Sequence, residues 1–155
     1  MADLTHLDDE GSARMVDVSG KNLTVRRATA EATVVMSSSV ADALFAGDLP
    51  KGDALAVIRL AAIQAAKKTP DLIPLCHPLP IDAIDVAIVR DGDEALITAT
   101  VTTTARTGVE MEAMTAVTVG ALACYDMVKG LDKGVRVGGV RLLAKSGGKS
   151  GDWTA

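Results

Sequence analysis

The sequence predicts an α+β protein of the ferredoxin-like kind, with split βαβ connections and an antiparallel sheet carrying its helices on one face. Three observations lead there. Stretches with two-residue alternation occur early, in the middle and late in the chain. Long alanine-rich stretches of good helix formers separate them. The chain has 155 residues, a length that suits one domain around one core. The resulting order is strand, helices, strand, hairpin, strand, helix, strand, which closes as two interleaved βαβ units.

Each element has its own reason. Residues 1–22 are polar and expected to be loose, 1–14 in particular to be flexible, with MVDVSGK as the approach to a strand. In LTVRRATAEATVVMS, Ala28, Ala30, Ala32, Val34 and Met36 share one face, and Arg27, Thr29, Glu31 and Thr33 the other. SSSVADALFAG reads as a short helix with serine at its start and Gly47 at its end. Asp53 is placed to cap ALAVIRLAAIQAAKK, whose last turn carries Lys67 and Lys68, where the helix dipole favours cations. IDAIDVAIVR and EALITATVTTT flank the hairpin signal Asp91-Gly92-Asp93. GVEMEAMTAVTVGALACYDMVKG is a long helix with glutamates at its start and Gly130 as C-cap candidate. GVRVGGVRLLAK supplies a last strand, and SGGKSGDWTA reads as a Gly/Ser loop.

Composition narrows function. Aromatic residues make up only 2% and the net charge is −4. That argues against a nucleic-acid partner, which would want a basic face or stacking platforms. Aliphatic and alanine side chains must build the core, and alanine buries little area, so oligomerisation is expected to help. The sheet face opposite the helices is a natural place for a partner subunit. The start MADLTHLDDE is no secretory signal. The apolar runs are interrupted by Arg59, Gln64 and Asp126 and fall short of a membrane span. Cys76 and Cys124 fit no disulfide framework, so a reducing cytoplasm is the expected compartment.

Chemistry has four candidate places. The first is DLIPLCHPLPI. Cys76-His77 lacks the company a metal centre needs, and neighbouring residues on an extended segment point apart, which weakens a thiol–imidazole pair. What remains is a proline-stiffened bend or a pocket wall presenting His77. The second is KSGGKSG, which ends in G-K-S yet lacks the first glycine of a P-loop, Leu143 standing there. It is either a flexible basic tail or an anion cradle with Lys145 and Lys149. Third, Asp126 and Lys129, three apart on one helical face, make either a surface ion pair or a proton-transfer pair set among apolar neighbours. Fourth, Glu110 and Glu112 are either helix-dipole partners or a second acid/base site.

Together, KGDALAVIRLAAIQAAKKTPDLIPLCHPLPI, TGVEMEAMTAVTVGALACYDMVKG and VRLLAKSGGKSGDW resemble the MoaC family, the cyclic pyranopterin monophosphate synthases of molybdenum cofactor biosynthesis, over Met15 to Trp153. The resemblance implies a single catalytic domain over 1–155, with 146–155 as a Gly-rich active-site tail. It implies a ferredoxin-like subunit in a homohexamer, a trimer of dimers, with active sites at subunit interfaces. The implied enzyme is a lyase that converts the purine triphosphate derivative 3′,8-cyclo-7,8-dihydroguanosine 5′-triphosphate to cyclic pyranopterin monophosphate and diphosphate. Asp126, Lys129 and Lys51 fall on catalytic positions. Leu75, Cys76, His77, Met111, Glu112, Lys145 and Arg26 fall on substrate-binding ones. A triphosphate needs several cations, which adds Lys67 and Lys149 as binding candidates, and Glu110 joins Glu112 as a candidate to hold or protonate the base. No metal site and no cofactor are implied, a divalent cation accompanying the triphosphate aside, and neither nucleic acid nor membrane is a partner. The rival classes are a ligand-binding regulatory domain and a metal-carrying ferredoxin-like domain.

Overall fold

The computed structural model describes residues 6–155. The first five residues of the segment expected to be flexible lie outside them. The elements are β1 (Thr24–Val35), α1 (Ser38–Ala46), α2 (Ala54–Lys67), α3 (Thr69–Leu72), β2 (Ala83–Asp91), β3 (Glu94–Ala105), α4 (Glu110–Val128), β4 (Arg136–Ser146) and β5 (Trp153–Thr154). The sheet order is β2-β3-β1-β4-β5, and every neighbouring pair is antiparallel. β3 therefore lies between β1 and β2, and β1 between β3 and β4, so each βαβ connection is split by an antiparallel strand.

The alternation in the sequence becomes two chemically different sheet faces. Ala28, Ala30, Ala32, Val34, Ala95, Ile97, Ala99 and Val101 are buried under the helices. α4 packs on β1, β3 and β4 and against α2, and α2 reaches β2. Alanine on this face lets the helices come close. Gly120 of α4 is the tightest point: a Cβ there would stand 3.2 Å from the Ala62 Cβ of α2 and 3.4 Å from Ile97 Cγ2 below. The opposite face carries half-buried Thr29, Glu31, Thr33, Thr98, Thr100 and Thr102. Hydroxyls of Thr29 and Thr100 meet at 2.9 Å across β1 and β3. The described helices leave that face open.

Local signals were realised with some changes. Asp53 caps α2, accepting from the Ala56 N–H at 3.0 Å. Ser37 stands at the N-cap of α1 but makes no side-chain cap bond, its hydroxyl meeting Ser39 instead. Gly47 ends α1 at φ 80°, and Gly92 turns the hairpin at φ 57°. Gly130 is not a left-handed cap: α4 ends at Lys129 in right-handed conformation, and the chain leaves through a turn closed by Leu131 N–H on Val128 O. α3 and β5 were not expected. α3 is a single turn opened by Pro70, and β5 pairs Trp153 with Lys145, so the tail is tied to β4 rather than free. By length and composition α4 would pass for a membrane-crossing helix, against expectation. Half of its apolar window is buried against the sheet and α2, which makes it a core helix.

Candidate active site

The predicted site residues gather at the two ends of α4. At the C-terminal end, Asp126 Oδ1 meets Lys129 Nζ at 2.7 Å, and Oδ2 meets Lys51 Nζ at 2.9 Å. Lys51 also donates to the Asp126 carbonyl at 2.6 Å. It arrives there because α2 runs antiparallel to α4, which brings the turn before α2 beside the end of α4. The hydrogen bond from Lys129, then that from Lys51, hold the Asp126 carboxyl down at about 2. The Lys129 ammonium is correspondingly held above its ordinary range by Asp126. The apolar surroundings expected for this pair are not realised. Cys124, Met127 and Val128 turn into the core, and the three charged side chains stay 42–54% exposed.

At the N-terminal end, Lys145 of β4 meets Glu110 at 3.0 Å and approaches the Ser150 hydroxyl at 3.4 Å. His77 and Cys76 part company, as an extended segment requires. His77 Nε2 stands 2.8 Å from the Val16 carbonyl; a carbonyl only accepts, so Nε2 carries the proton. The Cys76 thiol donates to Glu112 Oε1 at 3.6 Å. Burial pushes Cys76 up to about 11, with Glu112 adding to the rise. A cavity of about 590 Å³ opens here, walled by Leu75, Cys76, His77, Glu110 and Met111. DLIPLCHPLPI is thus a pocket wall as well as a bend.

A second cavity, about 830 Å³, lies beside it and is lined by Lys21, Arg26 and Lys149. Arg26 is fixed by donating to the carbonyls of Ala105 and Arg106 at 3.1 Å each. The glycines of the tail have a steric reason. Gly147 (φ 88°) and Gly148 (φ 76°) run so close to the Val25 carbonyl and the Arg26 guanidinium that any Cβ would collide. Lys67 reaches the same end of the helical pair but is exposed and lines neither cavity. Lys21 was missed by sequence reading. It lines both cavities, and its carbonyl is held by Arg106 at 3.1 Å. Among the described residues no group of three or more His, Cys, Asp or Glu could hold a metal ion.

The MoaC family profile matches residues 15–148. The chain belongs to the MoaC family. Similar proteins called cyclic pyranopterin monophosphate synthase occur in several bacteria. The one from Novosphingobium aromaticivorans is 57% identical over 157 residues, covering 100% of this chain and 99% of its own. That from Corynebacterium efficiens is 56% identical over 154 residues, covering 99% of each chain. That from Streptomyces coelicolor is 56% identical over 151 residues, 97% of this chain and 89% of its own. The MoaC match includes both ends of α4, the cysteine–histidine wall and β4 with Lys145.

Proposed function

We propose that the protein is a cyclic pyranopterin monophosphate synthase. It converts 3′,8-cyclo-7,8-dihydroguanosine 5′-triphosphate to cyclic pyranopterin monophosphate with release of diphosphate, as a lyase of molybdenum cofactor biosynthesis in the cytoplasm. Full-length similarity to proteins of that name supports it, and so does the pairing of an acid/base cluster with a basic cavity. The reaction consists of proton transfers and a phosphoryl displacement. Neither requires a redox cofactor, and a divalent cation would travel with the triphosphate. Lys21, Arg26, Lys145 and Lys149 are suited to its phosphates through charge-assisted hydrogen bonds. His77 and Glu110 line the cavity where the base would lie, and Glu112, expected beside them, is buried behind Cys76.

The length of α4 carries the second half of the reading. Asp126 lies sixteen positions after Glu110, and at 1.5 Å per residue that is about 24 Å. Proton transfer needs contact at roughly 3 Å. A single chain therefore cannot apply both ends of α4 to the reacting atoms of one small molecule. A complete site needs the Lys51–Asp126–Lys129 end of one subunit against the His77–Glu110 cavity of another, in a ferredoxin-like homohexamer assembled as a trimer of dimers. Within such a site Asp126 becomes a stronger base on binding: phosphates that draw Lys51 and Lys129 away remove the two partners that keep it acidic.

Two measurements test this. Purified protein given the cyclised guanosine triphosphate made by the preceding enzyme releases diphosphate; bound but unconverted substrate would point to the regulatory-domain alternative. Lys51→Ala and His77→Ala are each inactive alone, and reassembled together in equal amounts they regain about a quarter of the sites. Failure of the mixture to recover, with both chains shown to co-assemble, would refute the shared site.

A further inference from the structure

The two glutamates of the α4 first turn differ in their physical state. Glu110 is about one-third exposed and answered by Lys145. Glu112 is 1% exposed. Its Oε1 accepts from the Cys76 thiol, and its Oε2 has no hydrogen-bond partner among the described residues. A buried carboxylate with no cation against it is costly, and such a group keeps its proton instead. Loss of water raises Glu112 above the ordinary carboxylate range. The opposing pull of its own backbone N–H and of Cys76 is smaller, and the charge of Glu110 adds to the rise.

Few other charges surround it. Cys76 comes from the segment after α3 and Glu110 from the same turn of α4. Lys145 of β4 is engaged with Glu110. At the α2–α3 junction Lys67 and Lys68 are exposed, Lys68 facing Asp71 at 3.5 Å. His77 is turned to Val16. Cys76 lines the cavity while Glu112 lies behind it, so the thiol is the contact between the cavity and the buried acid.

We infer that Cys76 is a positioning residue: its hydrogen bond to Glu112 governs how readily that buried acid releases its proton, and links this to what occupies the cavity. A donor to the charged form favours ionisation. A ligand carbonyl or ring nitrogen that takes the thiol hydrogen removes the side-chain donor that Glu112 has among the described residues, and the carboxyl group then stays neutral. The inference deepens the function proposed above and rests on it for the ligand's identity, whereas the thiol–acid linkage is a property of the empty protein.

The experiment is a carbon-13 NMR titration of the unliganded, glutamate-labelled protein, with the Glu112 signal assigned through Glu112→Gln. The wild-type midpoint lies above that of an ordinary glutamate. Cys76→Ala moves it up by about one pH unit, and Cys76→Ser, a stronger donor, moves it down. The pH profile of diphosphate release follows the same order. A wild-type midpoint at the ordinary value overturns the inference even if neither variant folds. One midpoint shared by wild type and both variants overturns it too. Absence of diphosphate release from the wild type would instead strike the proposed function and leave the titration standing.

Discussion

The two ends of α4 use the same residue types for opposite ends. At the C-terminal end a carboxylate sits on the surface between two lysines, whose hydrogen bonds favour its ionised form. At the N-terminal end a carboxyl group two residues into the helix is out of water, and among the described residues its side-chain hydrogen-bond partner is a thiol. Asp126 and Glu112 carry the same carboxyl group, and their ordinary acidities differ little. The face of the helix tells them apart: Asp126 points outward while its neighbours Cys124, Met127 and Val128 turn into the core, and Glu112 points inward beside the buried Ala113 and Ala116. Burial and partners, rather than residue identity, decide which acid is charged.

The sharpest way to break this contrast is to disable the exposed end. Asp126→Asn is expected to slow diphosphate release by about 10²- to 10⁴-fold, the range for a lost acid/base group. Melting temperature should hardly change, because exposed ion pairs contribute little to stability. Near-normal turnover would move the proton chemistry elsewhere. Next in size is the middle of the helix that links the ends. Gly120→Leu forces a side chain between Ala62 and Ile97 and is expected to cost about 3 kcal/mol by overpacking, read by urea denaturation. A change below about 0.5 kcal/mol would mean that the seam yields.

A smaller effect comes from the basic cavity. In Glu110→Gln the ion pair with Lys145 is gone, and the freed ammonium should bind inorganic diphosphate about fivefold more tightly at low salt, an effect of roughly 1 kcal/mol. Calorimetry showing equal affinities would mean that Glu110 does not mask the lysine. The smallest effect is acid stability. Asp126 is depressed to about 2, below the ordinary aspartate value of about 4. Its stabilisation is therefore fully present above about pH 4 and lost as pH falls through about 2. Wild type and Asp126→Asn should keep a constant melting difference above pH 4 and converge below it. Convergence near pH 6 would contradict the pairing.

The sequence revealed most where local rules acted alone. The alternation of Ala28 to Val34 and of Ala95 to Val101 foretold strands and their buried faces, and Asp91-Gly92-Asp93 the hairpin. β5 escaped notice because two residues carry no period; Trp153 and Thr154 are a strand only by virtue of the β4 edge. Gly130 misled because a glycine after a helix permits a left-handed cap without requiring one. In the site, Asp126 and Lys129 declare themselves by helical spacing. Lys51 joins them from 75 residues away and was recognised through family resemblance, since no local pattern encodes that reach. The Cys76–Glu112 contact spans 36 residues. Lys21 was passed over because it sits in a segment read as loose, which the structure ties to His77 and Arg106.

The close seam at Gly120 has a consequence for the working enzyme. With Ala62 and Ile97 pressed against it, α4 is a strut that cannot bend to bring its ends together. With the shared site proposed above, catalytic competence would then depend on how much protein is present. Dilution that separates subunits would silence turnover while every chain remains folded, and substrate that bridges two chains would pull the equilibrium back toward assembly.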